Sequence, residues 1–246
     1  MSHFSHHLLL VFSLHWLGSA LATESLDVSD SPSSNQSVTP VLQPKESTPS
    51  QFSYTVQNLK GQVCIRASLG VEFVVKENKK KYYFNLKPDL TRATGYCGNQ
   101  KSVLSLEFDD GHLEFTFIKD GDVSYVKTIK CLLKPTLSCK NCQSKQYAGI
   151  VNNHKLFQAK TGQSFMCKSE TTLIMADNLK IKLLPMQIQA FDLVRGVFGK
   201  ELECWADFNR SLIPIILGSV ATAICLIAIL TYVLLREHRS QGYEQL

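Results

Sequence analysis

Leu104-Ser105-Leu106-Glu107-Phe108-Asp109-Asp110-Gly111-His112-Leu113-Glu114-Phe115-Thr116-Phe117 is the stretch that decides the fold class. Leu104, Leu106 and Phe108 alternate with Ser105 and Glu107, and Leu113, Phe115 and Phe117 alternate with Glu114 and Thr116. Successive side chains of a strand point to opposite faces, so a period of two reads as two half-buried strands. Asp109-Asp110-Gly111 is expected to supply the positive φ of a tight hairpin. Asp120-Gly121 repeats the device before a third strand at 123–129. The alternation returns at 71–76, 81–86, 179–184 and 186–191, and no comparable 3.6-residue period stands outside one apolar segment near the C-terminus. Region 52–211 therefore reads as all-β, a two-sheet sandwich or prism.

The flanks place this domain in a compartment. Residues 8–17 form a short apolar stretch followed by Gly18-Ser19-Ala20-Leu21-Ala22, the layout of a secretory signal peptide, and cleavage is expected after Ala22. The stretch is too short to span a bilayer, which takes roughly 20 apolar residues. Residues 212–235 contain no charged side chain and are long enough to cross. Arg236 and Arg239 follow at once, marking the cytoplasmic side, so 23–211 is expected to be lumenal and 236–246 cytosolic. Pro214 is expected in the first turn of the span, where a missing N–H costs nothing. Gly218 and Thr222 could support a close helix contact.

Residues 23–51 are dense in Ser, Thr and Pro and hold no aromatic residue, so they read as an extended, O-glycosylated stalk. Asn35-Gln36-Ser37 is an N-glycosylation sequon in that stalk. A second, Asn209-Arg210-Ser211, abuts the membrane and is expected to stay unused. The chain carries a formal charge of +5, with its densest basic run at Lys79-Lys80-Lys81. That run reads as a solvated hairpin tip, and a lumenal domain meets no nucleic acid.

Seven of the eight cysteines lie outside the span, in an oxidising compartment where disulfides are the default. Cys64 and Cys97 stand 33 apart, Cys167 and Cys204 stand 37 apart, and Cys131, Cys139 and Cys142 lie between the pairs. Cys139-Lys140-Asn141-Cys142 has neither the following helix of a redox dithiol nor a second ligand pair at zinc spacing. No metal or cofactor is expected.

Several segments resemble the lysosome-associated membrane glycoproteins. Gly61-Gln62-Val63-Cys64-Ile65-Arg66-Ala67 is similar to that family's opening motif, and Gly95-Tyr96-Cys97-Gly98 to its second-cysteine segment. Gly162-Gln163-Ser164-Phe165-Met166-Cys167, Ile188-Gln189-Ala190-Phe191 and Val197-Phe198-Gly199 continue the resemblance, and Leu212-Ile213-Pro214-Ile215 opens the span. The resemblance implies one lumenal β-prism domain closed by Cys64–Cys97 and Cys167–Cys204. It also implies residence in late endosome and lysosome membranes. Cys131, Cys139 and Cys142 are additional to the family's four. An odd number of extra cysteines permits a bridge between copies, and hence a homo-oligomer.

Catalysis is not expected. His112 and His154 are the two histidines of the mature lumenal region, one placed in the expected hairpin turn and one in a loop. There is no Gly-x-Ser-x-Gly elbow, no His-Glu-x-x-His and no phosphate-binding glycine loop. The segment 236–246 is too short to fold and reads as a linear signal. Gly242-Tyr243-Glu244-Gln245-Leu246 resembles the tyrosine sorting signal of the same family, in which Tyr243 and Leu246 would enter two pockets of a clathrin adaptor medium subunit. Two rival readings are a Glu244-x-Leu246 ligand for a PDZ-type groove and a scavenger-type receptor cycling to endosomes. The lumenal ligand of such a receptor is not named by any motif.

Overall fold

The computed structural model describes residues 40–136, 146–152 and 154–241, with 238–241 as backbone only. One sheet runs β1 (Phe52–Gln57), β2 (Val63–Glu77), β12 (Leu179–Ala190), β10 (Ser164–Cys167), β13 (Glu201–Glu203), with β3 (Lys80–Asn85) beside β2 and β11 (Thr171–Ala176) beside β12. The other runs β4 (Arg92–Tyr96), β5 (Lys101–Phe108), β6 (Gly111–Asp120), β7 (Val123–Leu133), β8 (Tyr147–Val151), with β9 (Leu156–Lys160) also on β7. An α-helix, α1 (Trp205–Gln241), follows β13. Among the described residues the fold is all-β apart from that helix and two short 3-10 turns.

Two long strands make the first sheet a prism rather than a flat layer. β2 carries β1 along one half, from Leu69 to Val63, and β3 along the other, from Glu72 to Glu77. β12 likewise holds β10 at 186–188 and β11 at 179–183. Both change partners at one level, where Gly70 faces the register break between Leu183 and Met186. A Cβ on Gly70 would lie 2.5 Å from the Leu184 carbonyl oxygen and 3.2 Å from the Pro49 ring, so any side chain there forces the two strands apart. Pro185 has no N–H for the ladder. The sequence pattern suggested separate strands at 179–184 and 186–191; they are one bent strand, because the break removes too little of the ladder to end the pairing.

The core lies between the sheets. Ile65, Leu69 and Phe73 of β2 meet Leu104 and Leu106 of β5, Leu113 and Phe115 of β6, and Ile181 and Leu183 of β12, each no more than 1% exposed. Burying each such side chain contributes about 1.5 to 3 kcal/mol. The hairpin between β5 and β6 differs in detail from expectation. Phe108 pairs with Gly111, so the turn is Asp109-Asp110 and the positive φ, 57°, belongs to Asp110. Gly111 is instead required because a Cβ there would meet the Phe108 ring at 2.3 Å. His112 consequently stands in β6 opposite Glu107 and not in the turn.

Cys64 at the start of β2 is bonded to Cys97 just beyond β4, with Cα atoms 5.9 Å apart, so this disulfide ties the two sheets together. Cys167 at the end of β10 is bonded to Cys204 just beyond β13, with Cα atoms 5.1 Å apart. Each closes a loop whose removal typically costs about 2 to 4 kcal/mol. The double change Cys64→Ser with Cys97→Ser is therefore expected to lower the unfolding free energy by that amount, read from urea denaturation. An unchanged midpoint would mean that β-sheet packing alone holds this edge.

Two boundaries differ from the sequence reading. The stalk was expected to reach Gln51, but residues 40–51 lie as a strap on the domain. Gln43 exchanges two backbone hydrogen bonds with Tyr83 (2.7 and 2.8 Å), Thr136 N–H donates to the Pro40 carbonyl (2.9 Å), and Leu42 is only 5% exposed. A Ser- and Pro-rich composition does not forbid docking when backbone groups find partners. At the other end, the helix starts at Trp205 rather than Leu212, because nothing in 205–211 opposes helix and Asp207 favours its first turn. Pro214 therefore sits inside the helix, where its missing N–H deprives the Arg210 carbonyl of its helical partner. The Thr222 hydroxyl donates to the Gly218 and Ser219 carbonyls of its own helix (3.0 and 2.8 Å).

Candidate functional site

The strap is anchored by a charged cluster that no sequence motif announced. Glu72 lies opposite Lys182 where β2 and β12 pair, and its side chain faces away from the main core. Residues 46–47 cover it, leaving Glu72 1% exposed. The Lys182 ammonium contacts Glu46, Glu170 (3.2 Å) and Glu72 (3.7 Å). Ser47 N–H donates to Glu72 Oε1 (3.3 Å), and the Asn85 amide donates to the Ser47 carbonyl and hydroxyl (both 2.9 Å). Burial pushes the Glu72 carboxyl above its ordinary range, against the opposing pull of Ser47 and Lys182. Burial alone would weaken the charge on Lys182, but hydrogen bonds to Glu46 and Glu170 outweigh it and raise its pKa.

A second cluster joins α1 to the domain. The Asp207 carboxylate accepts hydrogen bonds from Lys168 N–H (2.5 Å), Ser169 N–H (3.0 Å) and the Ser169 hydroxyl. Cys167 and Cys204 lie beside it, and the three side chains are close enough to suggest a metal site. Both sulfurs are committed to the disulfide, and the carboxylate is filled by donors, so the group does not fit a metal ion.

Cys131 is a free thiol buried in β7, 3.8 Å from the Gly149 carbonyl oxygen, and burial pushes its pKa up to about 12. It is therefore neither reactive nor placed to bridge two copies. Cys139, Cys142, Asn35, Gly242, Tyr243 and Leu246 lie outside the described residues. Lys79 turns the β2–β3 hairpin with a φ of 65°, and Lys80 and Lys81 open β3, so the basic run occupies an exposed hairpin end. His112 stands in β6 and His154 in the loop before β9, and Asp109 and Asp110 form the β5–β6 turn.

From Trp205 to Glu237, α1 has a mean hydropathy of 2.6 in its most apolar window, and none of that window is buried by the protein. An apolar helix of this length with every face open is suited to lipid.

Residues 39–205 match the family model described as lysosome-associated membrane glycoprotein 2-like, luminal domains. Human lysosome-associated membrane glycoprotein 3 is 33% identical over 211 residues, covering 84% of this chain and 49% of that protein. The mouse protein of the same name is 32% identical over 197 residues, covering 78% and 46%. This chain spans about half the length of the curated relatives it matches. The crystal structure of human lysosome-associated membrane protein LAMP-3 superposes with a TM-score of 0.58 at 33% identity, covering 63% of this chain and 99% of that one. The membrane-proximal domain of mouse lysosome-associated membrane protein 1 has a TM-score of 0.56 at 21% identity over 65% of this chain and 99% of that one, a likeness of fold alone. With the family model covering more than half of the chain, the protein belongs to the lysosome-associated membrane glycoprotein family.

Proposed function

We propose that the protein is a single-pass type I glycoprotein of late endosome and lysosome membranes, with a structural or interaction role there. In this reading it passes through the plasma membrane and is sorted by Gly242-Tyr243-x-x-Leu246. The observation that carries it is the joining of a family-type lumenal prism, through one apolar helix, to a short segment bearing that signal. Tyr243 follows Leu235 by eight positions; 236–241, read from sequence as unfolded, continue α1 as helix, and this spacer would carry the extended peptide clear of the bilayer for an adaptor medium subunit. The proposed segments are a signal peptide at 1–22, a stalk from 23 to the start of the strap, a span at 212–235 and a tail at 236–246. Asn35 is proposed as the glycosylated position of the stalk. The lumenal domain binds no nucleic acid in this scheme. The buried Cys131 leaves any self-association to other contacts.

Localisation of the full chain, tagged between residues 27 and 34, tests the reading. Co-localisation with acidic perinuclear vesicles is expected, with only a small surface pool. Steady residence at the plasma membrane would favour a scaffolded surface receptor instead.

A further inference from the structure

α1 rises out of the apolar run before it meets the domain, and its exposed start carries two large rings. Trp205 is 74% exposed and Phe208 44%, stacked with centroids 5.9 Å apart and planes 27° apart. At 1.5 Å per residue, Phe208 lies about 6 Å above Leu212 and Trp205 about 10 Å. A headgroup layer adds about 5 to 8 Å to each side of the hydrocarbon, so Phe208 and Arg210 fall within it, and Trp205, just beyond it on an upright helix, reaches it when the helix tilts or its ring points toward the membrane. Tryptophan, with an apolar body and a polar N–H, is favoured at that level. The continuity of this surface with the membrane span says what covers it.

The domain itself is held at the same level. No flexible linker separates it from the helix: Cys204, bonded to Cys167, immediately precedes Trp205, and Phe208 N–H donates to the Cys204 carbonyl (3.0 Å). Asp207, on the first turn, grips the backbone of Lys168 and Ser169. These ties bring Lys168 and Arg210 to one open cleft, shared with Ser169, Glu203, Asp207 and Ser211. Asp207 accepts three hydrogen bonds and its charge also acts on Lys168, and Glu203 adds a second carboxylate to the cleft, so the two cations meet phosphate oxygens beside these acids.

We propose that the turn between β10 and β11 and the first turn of α1 form a phospholipid-binding base, which seats the lumenal prism against the headgroups of the lumenal leaflet. Trp205 and Phe208 supply the interfacial aromatic contact, Lys168 and Arg210 contact lipid phosphate, and the Asp207 grip with the Cys167–Cys204 bond fixes the angle of the domain.

The test uses the full chain in phospholipid nanodiscs and tryptophan fluorescence. The sequence has two tryptophans, Trp16 and Trp205, so Trp205→Phe supplies the blank. Lipids brominated at shallow chain positions are expected to quench Trp205 about twofold more than lipids brominated near the chain end, as interfacial tryptophan requires. A second protein, Trp205→Phe with Glu203→Trp, moves the reporter onto the domain at the same cleft and keeps Lys168 and Arg210, and shallow bromolipids are expected to quench it too. Adding Asp207→Ala to that protein should abolish most of the quenching. Intact disulfides by peptide mapping will show that the fold survives. Lack of quenching at position 203 while Trp205 is quenched would overturn the seating of the domain, and lack of both would overturn the whole base.

Discussion

Tyr243→Ala is expected to move the protein from acidic perinuclear vesicles to the plasma membrane. An adaptor pocket that takes the phenol buries an aromatic ring, worth about 2 to 3 kcal/mol, and satisfies one hydroxyl, worth about 1 kcal/mol. Losing both weakens binding on the order of 100-fold or more, whereas Tyr243→Phe loses only the hydroxyl term, about fivefold. Leu246→Ala removes the second apolar anchor. Phosphorylation of Tyr243 would place about two negative charges where a neutral ring must enter. Antibody uptake and surface abundance measure all four. Glu244→Ala should leave the distribution unchanged, while a PDZ-type groove would respond to Glu244 and Leu246 and ignore Tyr243. Vesicular localisation that survives Tyr243→Ala would reject the sorting signal and leave the lumenal fold untouched.

The second large effect is expected at Lys182. Lys182→Met keeps the length of the side chain but leaves Glu72, 1% exposed, without its counter-charge. Removing one partner of a buried pair costs on the order of 3 kcal/mol at neutral pH. For a domain of this size that lowers the thermal midpoint by about 10 °C. Restoring balance with Lys182→Met and Glu72→Leu together should recover most of the loss, because an apolar pair needs no solvation.

The pH dependence of the same cluster has a definite sign. Burial raises the Glu72 pKa, so the folded state holds the proton more tightly than the unfolded chain. Its contribution to stability is fully present below the ordinary glutamate range and is lost as pH rises through the raised, folded-state pKa. Lys182, raised from an already high value, stays charged through this window and adds no slope. Acidification should therefore shrink the penalty of Lys182→Met, and Glu72→Gln should flatten this part of the stability profile. Glu107 works in the opposite direction, since hydrogen bonds from Arg92 and Thr94 lower its pKa, but its exposed side chain makes that effect small. A penalty for Lys182→Met that grows in acid would contradict the assignment of Glu72 as the buried charge.

Much of this molecule follows from local sequence alone. The period-two alternation in 104–117 makes β5 and β6 wherever they are placed, because one apolar face must be buried. The apolar run 212–235 makes a membrane helix by the same logic, since its backbone must hydrogen-bond within itself in lipid. The family motifs around Cys64, Cys97, Cys167 and Cys204 implied the pairing found, although spacing by itself left the pairing open. Other features depend on contacts between distant parts of the chain. Glu72 reads as the polar face of a strand, and only the strap laid across it, bringing Glu46 and Ser47, makes it a buried charge. Gly70 and Pro185 lie more than a hundred residues apart in sequence, and only strand pairing sets them at one bend. Asp207 would pass for an ordinary helix-start acid. Its hold on Lys168 and Ser169 appears only when Cys204 is drawn to Cys167. Periodicity reports which face of an element is buried, whereas the partner covering that face is chosen by long-range packing, which no window of sequence contains.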